Sequence, residues 1–148
     1  MRSPILKRLC LPQKWIQAGF SEALQSQAER IFTYQVCRDD GATLCCEATF
    51  VAYKGQKKAE MFISGLFVVQ DFRGQGLARR ALYVVAQQAL ALGIPTLTLD
   101  DMSDNYRADH NLYLNSGFHY LTDDGFDMSA RATTVSRKTK NSLSRSGP

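Results

Sequence analysis

Between Leu66 and Leu92 the sequence passes from an apolar run, through Asp71-Phe72-Arg73-Gly74-Gln75-Gly76, into an amphipathic stretch. This passage constrains the fold more than any other part of the chain. Leu77, Ala81, Leu82, Val85, Ala89 and Leu92 recur at helical spacing, and Gly93 with Pro95 ends the helix. A strand, a glycine loop and a helix in direct succession aim unpaired N–H groups and the positive end of the helix dipole at the loop. That end favours an anion. The first turn holds Arg79 and Arg80 and no acid, although the dipole disfavours cations there. Together with Arg73, this clustering is accounted for by a phosphate group at the helix start. Two other phosphate loops are excluded. A dinucleotide fingerprint needs a third glycine where Arg79 stands, and a P-loop needs Gly-Lys-Ser/Thr.

The flanking sequence supplies a sheet. Ile5–Cys10 reads as a short first strand, and Pro12 opens a helical segment to about Arg30, interrupted at Gly19-Phe20-Ser21. Ile31–Arg38, Thr43–Tyr53 and Ala59–Val69 read as three strands joined by Asp39-Asp40-Gly41 and Lys54-Gly55-Gln56-Lys57 turns. Gly65, inside the third, marks a bulge or a close backbone approach. Beyond the central helix, Thr96–Leu99 is a buried strand and Ser103 caps a second helix reaching about Asn115. Phe118–Leu121 and Phe126–Ala130 are two further short strands. The order predicts a mixed α/β (α+β) fold, with a mainly antiparallel sheet flanked by helices, rather than alternating parallel units.

The 148 residues carry a net charge of +4, but residues 131–148 contain Arg131, Arg137, Lys138, Lys140 and Arg145 and no acid. The preceding part of the chain is therefore slightly acidic. Segment 133–148 reads as a basic disordered tail behind one domain of residues 1–132. A basic tail suits nucleic acid less often than it suits simple solvation. Cys10, Cys37, Cys45 and Cys46 lack the spacing of a zinc site, so no metal is expected and the thiols read as reduced. No apolar run is long enough for a signal peptide or a membrane span, which makes the cytoplasm the expected location.

Leu66-Phe67-Val68-Val69-Gln70-Asp71-Phe72-Arg73-Gly74-Gln75-Gly76-Leu77-Ala78 resembles the acetyl-CoA loop of the GNAT superfamily of N-acetyltransferases. Downstream, Leu112-Tyr113-Leu114-Asn115-Ser116-Gly117-Phe118 resembles its second signature, a tyrosine four residues before Gly-Phe. The resemblance spans roughly Ile31 to Ala130. It implies a sheet splayed at the acetyl-CoA site and transfer of an acetyl group from acetyl-CoA, as co-substrate, to a primary amine by direct attack. The acceptor is a protein lysine, an N-terminus or a small amine. The alternative is a catalytically weak fold relative that binds acyl-CoA or a protein.

Carried over by position, the resemblance has the backbone of Val68 and Val69 pair with the pantetheine arm, their amides lying near the oxyanion. The amides of Arg73, Gly74, Gln75, Gly76, Leu77 and Ala78 hold the pyrophosphate, with Arg79 or Arg80 near the outer phosphates. Tyr113 protonates the leaving thiolate. Glu60, thirteen residues before Arg73, stands where the histone-acetyltransferase branch places its base; Glu47, Asp100, Asp101 and His110 are further candidates. The family's asparagine seven residues before the tyrosine is here Tyr106, with Asn105 one position off.

Overall fold

The computed structural model describes residues 15–26, 29–53 and 60–146. The first four strands form an antiparallel ladder: β1 (Trp15–Ser26), β2 (Glu29–Arg38), β3 (Leu44–Tyr53) and β4 (Glu60–Val68). Helix α1 (Leu77–Ala91) then crosses over to β5 (Thr96–Asp100), which runs parallel to β4. After the short helix α2 (Leu112–Asn115), strands β6 (His119–Tyr120) and β7 (Asp127–Arg131) complete one seven-stranded sheet of order β1-β2-β3-β4-β5-β7-β6. Helix α3 (Ala132–Ser146) closes the chain.

The core lies between this sheet and α1. Phe32, Tyr34, Val36, Cys46, Ala48, Phe50, Met61 and Ile63 meet Leu77, Ala81, Leu82 and Val85 of the helix, all buried. Phe32 and Phe50 stack at 5.3 Å between ring centroids. Each large side chain fully removed from water stabilises the fold by about 1.5–3 kcal/mol. Tyr34 is fully buried, and its hydroxyl has no hydrogen-bond partner among the described residues. Cys37, Cys45 and Cys46 are free and buried, and burial pushes the Cys46 thiol up to about 12. Thiols so held in the protonated form are poor nucleophiles. Among the described residues, no helix is long and apolar enough to cross a membrane.

The feature that positions the site is a divergence of two strands. β4 pairs with β3 as far as Val68, but with β5 only from Glu60 to Ile63. Gly65 stands opposite Thr49 and Ile63 opposite Phe50, so Ser64 is the extra residue of a bulge. The expected irregularity at Gly65 is thus present, and beyond it the sheet opens.

Three expectations are corrected. The segment expected as a helix from Pro12 to Arg30 contains β1 and the start of β2. The pairing of β1 with β2 shifts register between Gln17 and Gly19, and a glycine that weakens a helix fits such a bulge. The helix expected from Ser103 shrinks to Leu112–Asn115, because Asn111 rather than Ser103 supplies the cap. The tail expected to be disordered is α3. Ala132, Val135, Ser136 and Thr139 form a narrow buried stripe at helical spacing, and Gln87 Nε2 donates to Ser136 Oγ at 2.6 Å. The expected strand Ile5–Cys10 and the turn at Lys54–Lys57 lie outside the described residues.

Candidate active site

A cleft of about 570 Å³ opens where β4 and β5 part. One wall is Leu66, Phe67 and Val68 of β4; the floor is Arg73, Gly74, Gly76, Leu77, Ala78 and Arg79. The far wall is Met102–Asn105 with Leu112 and Tyr113. The two sequence signatures, forty residues apart, therefore meet across one space.

The loop is built for backbone contact. Gln70–Phe72 makes a 3-10 turn, and Gly74 and Gly76 take φ of 79° and 81°. A Cβ added at either would meet nothing within 4 Å, so the glycines serve the left-handed backbone and leave room above it. Gly76 is the residue before the first turn of α1, and the first amide bonded back into the helix is that of Arg80, to Gly76 O at 3.1 Å. The amides of Gly76, Leu77, Ala78 and Arg79 are those that helical geometry leaves without intrahelical acceptors. No acid stands in that first turn.

The expected cofactor residues are not all equivalent. Val69 donates its N–H to Cys45 O and accepts from Phe72 N, both at 2.9 Å, so both its backbone groups are engaged. Val69 with Cys45 is thus a hydrogen-bonded pair, and in an antiparallel ladder the next residue, Val68, points its N–H and C=O the other way, into the opening. Arg73 Nε donates to that Val68 carbonyl at 3.1 Å. The Arg73 amide itself is given to Gln70 O at 3.3 Å. Gln75 and Arg80 do not line the cleft, whereas Arg79 does. Of the expected residues, Val68, Gly74, Gly76, Leu77, Ala78 and Arg79 line the space, Val68 with its N–H left over because its carbonyl already accepts from Arg73 Nε.

Tyr113 is half-buried and meets Phe118 edge-on at 6.0 Å. Burial, and then the charge of Asp101, push its phenol up to about 12, so it holds its proton throughout the neutral range. The carboxylates divide differently from expectation. Glu60 pairs with Thr96 at the closed end of the β4–β5 ladder and does not line the cleft. Glu47 stands opposite Phe67 and accepts from Gln35 Nε2 at 2.6 Å. Asp100 and His110 are exposed and off the cleft, and His110 Nε2 pairs with Asn105 Oδ1 at 3.2 Å. Asp101 is wholly buried and fully hydrogen-bonded. Among the described residues that line the cleft Asp104 is the one carboxylate, and its sequence signal was only its membership of an acidic loop.

The segment between β5 and α2 is irregular and tightly tied. Arg107 takes φ of 60°, which is costly for a side-chain-bearing residue. Its amide donates to Tyr120 Oη at 2.7 Å, its Nη2 to Thr122 O and Gly125 O, and its guanidinium lies 4.3 Å from the Tyr120 ring centroid. Asn111, also wholly buried, caps α2 by accepting from the amides of Tyr113 and Leu114.

Residues 6–118 match the model of the Acetyltransferase (GNAT) family. The chain belongs to the GNAT acetyltransferase family. Members of this family use acetyl-CoA. The GNAT chain also shares its fold with solved structures. A bacterial toxin superposes with a TM-score of 0.57 at 17% identity, covering 71% of this chain and 69% of that one. The AtaTR structure with bound acetyl-CoA gives 0.55 at 19% identity, covering 71% and 69%. A KacTA–DNA complex gives 0.53 at 18% identity, covering 79% and 76%. No curated protein matches this GNAT chain.

Proposed function

We propose that the protein is an N-acetyltransferase that moves an acetyl group from acetyl-CoA to a primary amine by direct attack. The observation that carries this reading is the convergence, in one cleft, of the free amides of Gly76–Arg79 with the phenol of Tyr113. Pyrophosphate suits the helix end, where dipole and amides favour negative charge and no acid opposes it. The pantetheine arm then runs along the open edge of β4 as an added strand, with the outward backbone groups of Val68 as its partners. Arg79 serves the outer phosphates.

The amine nitrogen attacks the thioester carbonyl carbon, a C–N bond forms, and negative charge develops on the carbonyl oxygen. An outward amide of β4 is placed to stabilise that charge. The C–S bond then breaks, the departing sulfur takes the Tyr113 proton, and the proton shed by the amine restores the phenol through solvent. An amine protonated at neutral pH must first lose a proton. Asp104 lines the cleft and has the access for that task, whereas Glu60 is not among the lining residues. The acceptor is a cationic amine drawn to Asp104, on a protein or free. A cytoplasmic setting suits the three free thiols.

Calorimetric titration tests the donor site. Wild-type protein is expected to bind acetyl-CoA, and an Arg73→Glu, Gly76→Glu double variant to lose binding while staying folded. Absence of wild-type binding at millimolar acetyl-CoA overturns the reading. Binding without turnover over a panel of amines instead supports a binding module, a reading favoured by Glu60 standing opposite Thr96 and not lining the cleft.

A further inference from the structure

Asp101 is a charged side chain with no exposure to solvent, and the transfer chemistry above makes no use of it. Its Oδ1 accepts from Ser103 N at 3.1 Å and Ser103 Oγ at 2.5 Å; its Oδ2 accepts from Asn111 Nδ2 at 2.8 Å and Tyr120 Oη at 2.5 Å. A carboxylate has about four acceptor sites, and all are taken. Burial raises its pKa, but the bonds from Ser103, Tyr120 and Asn111 more than offset this and hold it below the usual carboxylate range. It is not available to take a proton from an incoming amine.

What it can do follows from the asymmetry of Asn111. An asparagine amide donates at one end and accepts at the other, and the two ends are nearly the same shape. A carboxylate only accepts, so Asp101 compels Asn111 to present Nδ2, which also donates to Asn105 O at 2.9 Å. Oδ1 is thereby turned towards α2, where it accepts from Tyr113 N at 2.8 Å and Leu114 N at 3.1 Å. A helix of four residues does not hold its own geometry and depends on its cap. We infer that Asp101 is a positioning residue that fixes the Asn111 amide and, through it, the direction in which Tyr113 addresses the cleft. This rests on the reading of Tyr113 as the proton donor.

The variant Asp101→Asn weakens the compulsion, leaving Asn105 O as the obligate acceptor on Nδ2, because a second amide can present its own N–H groups to Asn111 and favour its turning over to oppose the helix N–H groups. Two readouts separate the inference from that reading. Hydrogen exchange at the Tyr113 and Leu114 amides is expected to accelerate at least tenfold relative to the α1 amides, whatever the chemistry of Tyr113. With acceptor saturating, kcat is expected to fall at least tenfold while KM for acetyl-CoA stays within twofold, since the loop amides lie on another element. Wild-type exchange at both amides, or an unchanged kcat when Tyr113→Phe is impaired, overturns the inference. If Tyr113→Phe keeps wild-type kcat, the proton-donor reading falls and the exchange result alone decides the positioning. Should Asp101→Asn not fold, Asn111→Ser keeps a capping oxygen but loses the tie to Asp101. Its kcat is expected to fall tenfold, and a wild-type value overturns the inference.

Discussion

Tyr113 and Tyr34 show how one side-chain type is put to opposite uses. Tyr113 is half-buried, with its phenol raised to about 12 by burial and by the Asp101 charge. It is protonated below that value and loses its proton only as pH rises through it, so it places no alkaline limb on the rate between pH 7 and 10. Tyr113→Phe is expected to lower kcat by about a hundredfold with acetyl-CoA affinity unchanged, as steady-state kinetics and calorimetry would show. An alkaline limb near pH 9 in wild-type protein would contradict the assignment. Tyr34, in contrast, buries a hydroxyl that has no partner among the described residues. Leaving such a group unpaired costs about 1–3 kcal/mol. Tyr34→Phe is therefore expected to stabilise the fold by about 1 kcal/mol, measurable as a higher midpoint in urea.

At the level of elements, Gly117 links the second signature to the last helix. It has φ of 105°, and an added Cβ would lie 2.8 Å from Thr134 Cγ2 on α3. Gly117→Ala must strain the backbone and push α3 away, so a loss of about 1–3 kcal/mol is expected in denaturant titration. That contact also explains what the sequence concealed. The glycine loop, the bulge at Gly65, α1 and strands β2 to β7 were legible because glycine, alternation and helical periodicity each have a direct physical cause. The last helix was not, since among its residues of described burial Val135 is the one large buried apolar residue, alongside Ala132, Ser136 and Thr139. Small residues packing closely against a neighbour look, in one dimension, like a polar linker. β1 was misread because Trp15 to Ala23 satisfies helical spacing as well as it does a bulged strand. Within the cleft, the sequence pointed to the loop and to Tyr113. It could not reveal that Val69 is already paired, that Glu60 sits at the closed end of its strand, or that Asp101 and Asn111 are partners. Those depend on register and on contacts across elements.

Over the whole molecule, the sheet is continuous on the β3 side of β4 and interrupted on the β5 side after Ile63. A ligand that fills the interruption binds the folded chain alone, so saturating acetyl-CoA at a hundred times its Kd is expected to add about 2.7 kcal/mol of stability, read as a higher thermal midpoint. Free coenzyme A should shift the midpoint nearly as far. A coenzyme A shift that is absent while acetyl-CoA gives a large one would mean that the acetyl group, and not the arm, supplies the grip.

That gap in the sheet has an economic meaning for the cell. On the proposed reading most of the grip of β4 falls on the arm, which a charged and a spent carrier share, since the two differ only beyond the sulfur. Spent carrier is then expected to compete with acetyl-CoA for the same site. Its output is then expected to follow the proportion of carriers loaded with acetate more closely than the number of carriers.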